Sequence, residues 1–251
     1  MAGHSKWSNI KHKKAKSDEK RGKEFTKIAK EITIAVRTGG GSDPEANSKL
    51  KLAIQKAKAI NLPNDNINRA IARGTGESDS DNIEEIVYEG YAPAGVAVLL
   101  EIATDNRNRT ASEIRHLFSK NNGNMGEGGC VAWMFHRTGL ISVSKKNVSD
   151  EDEFMLQAIE AGAEDVNDEG EFYEILTSPD NFIEVKEELE KQNLVLDMAD
   201  LIMLAENTVE ITDEETVAKI LKLIDLFEDH DDVQNVYTNI SIPDEIMEKL
   251  A

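Results

Sequence analysis

"TGESDSDNIEEIVYEGYAPAGVAVLLEIATD", residues 75–105, is where this chain changes its pattern. Its first eight residues are polar or glycine and contain no apolar side chain, so they read as a loop and a domain boundary. The rest holds two runs rich in Val, Ile, Leu and Tyr, interrupted by Gly90, Pro93 and Gly95. That pattern predicts two strands joined by a turn. Before the boundary the apolar spacing is helical. Phe25, Ile28, Ala29, Ile32 and Val36 form one stripe, with a helix start expected near Glu24 and a stop at Gly39-Gly40-Gly41. Asp43 as N-cap and Pro44 at the first helical position predict the start of a second helix, striped by Leu50, Ala53, Ile54, Ala57 and Ile60. A third carries Ile67, Ala70 and Ile71 and ends at Gly74 and Gly76. Three short amphipathic helices can bury their faces only against each other, so residues 23–76 are expected to form a helical bundle.

After residue 105 strands and helices mix without strict alternation. Helices are predicted over "RTASEIRHLFSKNNG", "DEDEFMLQAIEAGA", "DNFIEVKEELEKQN" and "DEETVAKILKLIDLFEDH". The last has Val217, Ile220, Leu221, Ile224 and Phe227 on one face and Thr212 or Asp213 as its cap. "VAWMFHRTGLISVS" reads as two strands around a turn at Thr138-Gly139, "EFYEILTSP" and "VQNVYTNIS" as strands, and "DLIMLAENTVEIT" as extended. The fold class expected is α+β, with helices packed against sheets.

Charge follows the same boundary. The chain has 251 residues, a net charge of −19 and a sequence pI near 4.7. Residues 1–76 nevertheless sum to net +10, because 17 Lys and Arg stand against 7 Asp and Glu; the remainder sums to −29. A division this steep implies units with different partners, the first suited to a polyanion. Apolar residues make up 39% of the chain, and 5 Pro and 16 Gly are too few for a disordered or collagen-like protein. Cys130 is the single cysteine, so no internal disulfide is possible; it reads as a small apolar residue rather than a nucleophile. No apolar run reaches the roughly 18 residues of a membrane span, and the cationic start lacks a following apolar segment, so no membrane partner is expected and the cytoplasm is the expected location.

Motifs for catalysis are absent. There is no G-x-S-x-G, Walker A loop, H-E-x-x-H or C-x-x-C, and His4, His12, His116, His136 and His230 are scattered, so no enzyme activity, metal or cofactor is expected. "EDHDD" (228–232) resembles a metal cluster but lacks a second ligand group at suitable spacing and reads as a solvated turn. "NNGNMGEGG" (121–129) precedes a strand rather than opening a helix; a flexible turn fits it better than a phosphate cradle.

Two segments could bind nucleic acid. Residues 1–22 form a basic arm with few apolar anchors, expected to be mobile in the free protein. His4, Lys6, Trp7, Lys11, His12, Lys13, Lys14 and Lys16 lie there before any acid, followed by Lys20, Arg21 and Lys23. Cations neutralise phosphates and release counterions, and an aromatic ring can stack on an unpaired base. "TDNRNRTASEIRH" (104–116) puts Arg107, Asn108 and Arg109 on a loop between a predicted strand and helix, with Arg115 one turn or two further on. Arginines there could grip phosphates, and Asn106 and Asn108 could bond bases or 2′-hydroxyls; the alternative is a cap and turn whose arginines pair with neighbouring acids.

"AGHSKWSNIKHKKAKSDEKRGKEFTKIAKEI", "LPNDNINRAI", "YEGYAPAGVA", "TDNRNRTASEIRHLFSKN", "VAWMF" and "DDVQNVY" closely resemble, in order and over essentially the whole chain, the YebC/PmpR family, whose mitochondrial relatives activate translation. Asn122, where the family often has Gly, and "GEGGC" depart from its pattern. The resemblance implies a nested architecture: an α+β domain over 77–135 plus 206–251, with a further α+β domain of 136–205 inserted into it. It implies a non-enzymatic regulator of gene expression, described in the family either as a DNA-binding transcriptional regulator acting at promoters or as a ribosome-associated factor that contacts ribosomal RNA and relieves stalling, for example at proline runs. A protein-interaction module without direct nucleic-acid contact is a further alternative. A monomer is expected.

Overall fold

A computed structural model describes residues 18–76 and 83–250. The first three helices are α1 (Asp18–Thr38), α2 (Ser48–Ala59) and α3 (Asn64–Gly74). Ile32, Ala35, Val36, Leu50, Ala53, Ala57, Leu62, Ile67 and Ala70 form their shared core, so the predicted helical stripes do meet. Two boundaries differ from expectation. Helix α1 already includes Asp18–Gly22, which the sequence placed in the mobile arm. Helix α2 starts after Asn47 rather than after Asp43. Asp43 instead closes a turn, its carboxylate accepting the Glu45 N–H at 3.0 Å. Asn47 is buried and satisfied on every side. Its Oδ1 accepts the Leu50 N–H at 3.0 Å, and its Nδ2 donates to Ala35 O at 2.8 Å and Gly41 O at 2.7 Å. It therefore caps α2 while its amide N–H groups tie that cap to carbonyls in the last turn of α1 and in the loop after it, which an aspartate, having no side-chain donor, could not do. Gly39 permits this approach, since a Cβ there would sit 2.1 Å from Asn47 Oδ1.

The chain continues through β1 (Glu84–Tyr91), β2 (Ala97–Thr104), α4 (Arg107–Lys120) and β3 (Asn124–Met125). After an excursion it returns as β8 (Val209–Glu210), α7 (Glu214–Glu228), β9 (Val233–Thr238), β10 (Ile240–Ser241) and α8 (Asp244–Leu250). One sheet has the order β3-β1-β2-β9 with antiparallel pairs; β8 and β10 form a separate parallel pair. Helices α4 and α7 pack on this sheet. Ile114, Phe118, Val217, Ile220, Ile224 and Phe227 meet Tyr88, Val98, Leu100 and Ile102 in one core. The Phe118 and Phe227 rings lie 4.7 Å apart at 55°. Each fully buried side chain of this size contributes about 1.5–3 kcal/mol of transfer free energy. Central strand β2 is buried along nearly its whole length, which is why it reads as an unbroken apolar run. The helical residues from Asp18 and this sheet layer belong to one compact unit.

The excursion, Trp133–Thr208, is the second compact unit. It contains β4 (Phe135–Ser144), α5 (Glu151–Glu160), β5 (Asp165–Asp168), β6 (Phe172–Thr177), α6 (Phe182–Lys191) and β7 (Met198–Ala205). Its antiparallel sheet has the order β5-β6-β4-β7. Phe154, Tyr173, Ile175, Phe182, Val185 and Leu189 are buried. The expected turn at Thr138-Gly139 does not exist, because β4 runs straight through it. Gly139 is needed there for a different reason: a Cβ would stand 2.2 Å from Thr177 Oγ1 and 2.6 Å from the Phe182 ring. The glycine marks a close approach inside a strand, not a break between two. The fold is thus α+β, with a helical bundle first and two sheet-containing parts after it.

Candidate nucleic-acid interface

Of the residues singled out for nucleic-acid contact, His4, Lys6, Trp7, Lys11, His12, Lys13, Lys14 and Lys16 lie outside the described residues. Lys20 and Arg21 fall in the first turns of α1, and their side chains also lie outside the description. Lys23, Arg107, Asn108 and Arg109 can be placed.

Lys23 is the first of three lysines at spacing i, i+4, i+7, which puts it on one face of α1 with Lys27 and Lys30. That face meets the end of α7 and the loop behind it. Lys23 Nζ donates to Asp229 O at 3.1 Å, and Lys27 Nζ to Glu228 O at 2.6 Å. Lys30 Nζ reaches Ala103 O at 3.1 Å, Asp231 O at 2.9 Å and Asp232 Oδ1 at 2.8 Å. The last carbonyls of a helix carry partial negative charge and lack intrahelical donors, so cations are favoured there. "EDHDD" is therefore not a free solvated turn. It is the acidic socket in which the lysines of α1 end.

Asp232 is the centre of this socket. The β2–β9 ladder shifts register between Glu101 and Ile102, and beyond the shift Ala103 N–H donates to Asp232 O at 2.8 Å. This fixes the backbone of Asp232 at the end of β2, where its side chain turns toward α4. Oδ2 accepts from Arg109 Nη2 at 2.8 Å, the Thr110 hydroxyl at 2.7 Å and the Thr104 hydroxyl at 3.1 Å. Burial pushes the Asp232 carboxyl upward, but the hydrogen bonds from Lys30, Arg109 and Thr110 outweigh it and hold the group far below the usual carboxylate range. The hydrogen bond to Asp232 raises the Arg109 guanidinium in turn, and Asp105 adds a second bond at 2.9 Å.

The loop "TDNRNRT" thus divides between its two readings. Asn106 is the N-cap of α4, accepting the Arg109 N–H at 3.1 Å, and Arg109 pairs with two acids. Arg107 and Asn108 are exposed, and their side chains make no hydrogen bond or ion pair among the described residues. Outside its own helix, the Arg107 carbonyl accepts the Tyr88 hydroxyl at 3.2 Å.

Three other sequence features resolve here. Glu113, His230 and Asp232 lie close enough to suggest a metal site. The donor set does not fit one. Asp232 is already neutralised by Lys30 and Arg109. His230 Nδ1 accepts the Asp232 N–H at 3.1 Å, which leaves the proton on Nε2 to be donated to Glu113 at 3.0 Å. The glycine-rich stretch before the second unit is likewise occupied. The buried Glu89 carboxylate accepts N–H bonds from Gly129 at 2.6 Å and from Val131 and Ala132 at 2.7 Å each. The donors that might have cradled a phosphate hold the chain's own carboxylate, and the segment is a fixed loop rather than a loose turn. Cys130 within it is half-buried; burial and then the Glu89 charge push its thiol up, away from nucleophilic chemistry.

Matches to known proteins agree with this architecture. Residues 5–77 match the TACO1/YebC protein N-terminal domain, and residues 83–240 match the TACO1/YebC second and third domain. The chain belongs to the TACO1/YebC family. A relative from Syntrophomonas wolfei, named "Probable transcriptional regulatory protein", is 72% identical over 251 residues and covers 100% of both chains. Another of the same name from Halothermothrix orenii is 59% identical, covering 100% of this chain and 99% of its own. The crystal structure of a conserved hypothetical protein from Aquifex aeolicus superposes with a TM-score of 0.86 at 50% identity, over 95% of this chain and 97% of that one. Within this family fold, the residues that sequence reasoning missed are the carboxylate and carbonyls that bind α1. Their signal was present as charge in "EDHDD", but its partner lay some 200 residues earlier, as the separations of 201 and 202 for the Lys30 bonds show.

Proposed function

We propose that this chain is a non-enzymatic, nucleic-acid-binding regulator of gene expression in the cytoplasm. It acts as a ribosome-associated translation factor that contacts ribosomal RNA and relieves stalling, for example at proline runs. The observation that carries the polyanion contact is the division of its cations. Lys23, Lys27 and Lys30 are consumed within the chain, whereas the sequence before Asp18 holds Lys6, Lys11, Lys13, Lys14 and Lys16 with Trp7 and no acid of its own. Cations with an aromatic side chain and no neighbouring carboxylate suit phosphates and unpaired bases. The net −29 of residues 77–251 opposes lying along bare duplex DNA but not touching a mixed RNA and protein surface. The role in stalling follows the ribosome-associated description of the family.

A second reading, a DNA-binding transcriptional regulator, is favoured by the names of the relatives. Crosslinking in cells followed by sequencing of the bound nucleic acid separates the two. Recovery of ribosomal RNA supports the translation reading; recovery of discrete promoter DNA overturns it. In vitro, replacing Lys11, Lys13, Lys14 and Lys16 with Ala is expected to weaken binding and to flatten its salt dependence by about one unit per lost phosphate contact.

A further inference from the structure

The exposed side of α4 is unlike the rest of the acidic part of the chain. Ile114 and Phe118 are fully buried and turn one side of the helix into the core. The opposite side carries Asn108, Ser112, Arg115 and Ser119 at spacing i, i+4, i+7, i+11, with His116 and Lys120 beside them, all exposed. Several other lysines of this part are paired with carboxylates: Lys145 with Asp168, Lys191 with Glu188, Lys219 with Glu215 and Lys249 with Glu214. Arg137, Lys146 and Lys222 are exposed and also lack an ion-pair partner among the described residues, but they stand on β4, just after it and on α7 rather than together on one helix. Arg107, Arg115 and Lys120 have no ion-pair partner among the described residues. The one acid on this helix, Glu113, is held by His230. In a segment that sums to −29, cations concentrated on one helix and left unpaired form a site of opposite sign to their surroundings.

Placement adds a second argument. Lys23 sits on Asp229, and His230, the next residue, sits on Glu113 in the middle of α4. The part of α1 around Lys23 is thereby set near the middle of α4 within one compact unit. At 1.5 Å per residue, Arg107 to Arg115 spans about 12 Å and Arg107 to Lys120 about 20 Å, room for several successive phosphates.

We infer that the exposed surface of α4, through Arg115 and Lys120 with Asn108, Ser112 and Ser119 on its outer side and Arg107 at its N-terminal end, is a second contact for the phosphodiester backbone of RNA. The cations neutralise phosphates, and the interleaved amide and hydroxyls reach 2′-hydroxyls, which duplex DNA lacks. This rests on the nucleic-acid reading above but assigns a different surface.

The test uses the full chain and two probes, a fluorescein-labelled RNA hairpin and a DNA duplex of the same sequence, followed by anisotropy across a salt series. The variant Arg107→Ala/Arg115→Ala/Lys120→Ala is expected to bind the RNA at least about tenfold more weakly near 0.1 M salt, with the log–log salt slope lowered by about two to three. Arg107→Lys/Arg115→Lys should restore most of the slope, because the charge stays and only the fork geometry changes. Suppose the triple variant keeps the wild-type slope while the Lys11, Lys13, Lys14, Lys16 alanine variant loses binding. The nucleic-acid reading then stands and the α4 assignment is wrong. Equal binding of the duplex, lost equally in the triple variant, overturns the choice of RNA. Failure of the unaltered chain to bind either probe overturns both the assignment and the reading beneath it.

Discussion

Lys23, Lys27 and Lys30 on α1 and Arg107, Arg115 and Lys120 on α4 are cations of comparable reach, yet they meet opposite fates. The α1 set ends on carbonyls and a carboxylate at the close of α7. The α4 set points to solvent without a partner among the described residues. The first set comes from the segment at net +10, where a charge count would place the polyanion contact; the second comes from the segment at −29, where it would not. Availability, not density, separates a binding cation from a structural one. A lysine whose charge is already matched has little left to give a phosphate, and taking it away would uncover a buried carboxylate.

The most forceful way to break this contrast is to remove the carboxylate on which the docked set converges. Asp232 has 6% of its side chain exposed, whereas its partners Lys30 and Arg109 retain 19% and 44%. Asp232→Ala is therefore expected to cost about 2–4 kcal/mol, somewhat below a fully enclosed ion pair because both cations can rehydrate. Urea unfolding at neutral pH measures it. The pH dependence follows from the sign of the shift. The folded carboxyl lies below its ordinary value, so its contribution is complete above about pH 4 and is lost progressively as the pH falls from there. The stability gap between the unaltered chain and Asp232→Ala should narrow across that acid range. A gap that stayed constant down to strongly acid pH would mean that the carboxylate charge is not what holds the socket.

A gentler comparison lies within the docked set. Lys30 is mostly enclosed and makes three bonds, while Lys23 is more exposed and makes one with a distant carboxylate at 3.9 Å. Lys30→Met keeps the apolar stem and deletes the charge; a loss of about 1–2 kcal/mol is expected. Lys23→Met should cost less than about 0.5 kcal/mol, as exposed pairs do. Equal effects would imply that α1 is held by its apolar stripe alone, through Ile32 and Val36, and that the lysine face is incidental.

These effects mark how far the sequence could be read. Helical stripes, the strand pair around Pro93 and a cap at Thr212 or Asp213, of which the structure uses Asp213, were all visible, because each depends on neighbours within one or two turns. Asp43 looked the better cap than Asn47 because what favours Asn47 is a contact with Ala35 and Gly41 across a turn. Gly139 looked like a turn because its reason, the nearness of Thr177 and Phe182, belongs to a neighbouring strand and helix. Short elements such as β5 and α8 carry too few residues for a period to emerge. The interface was legible only in part for the same reason. "EDHDD" and the lysines of α1 are each ordinary charge runs until the fold joins them. The free face of α4 could have been noticed from the spacing of Asn108, Ser112, Arg115 and Ser119, since that signal is local.

The smallest expected effect discriminates most finely, because it concerns two arginines two residues apart. Arg109 joins Asp105 and Asp232, although 44% of its side chain remains in water. Arg107 joins neither. Arg109→Ala should lower stability by about 1 kcal/mol, discounted for that exposure, and Arg107→Ala should stay within about 0.5 kcal/mol of the unaltered chain. RNA binding should rank them the other way, with the larger change in salt slope at Arg107. Both arginines shifting stability alike would return the loop to a purely structural role. If both shifted binding alike instead, an intramolecular ion pair would not spend a cation after all, and the contrast between α1 and α4 would lose its basis.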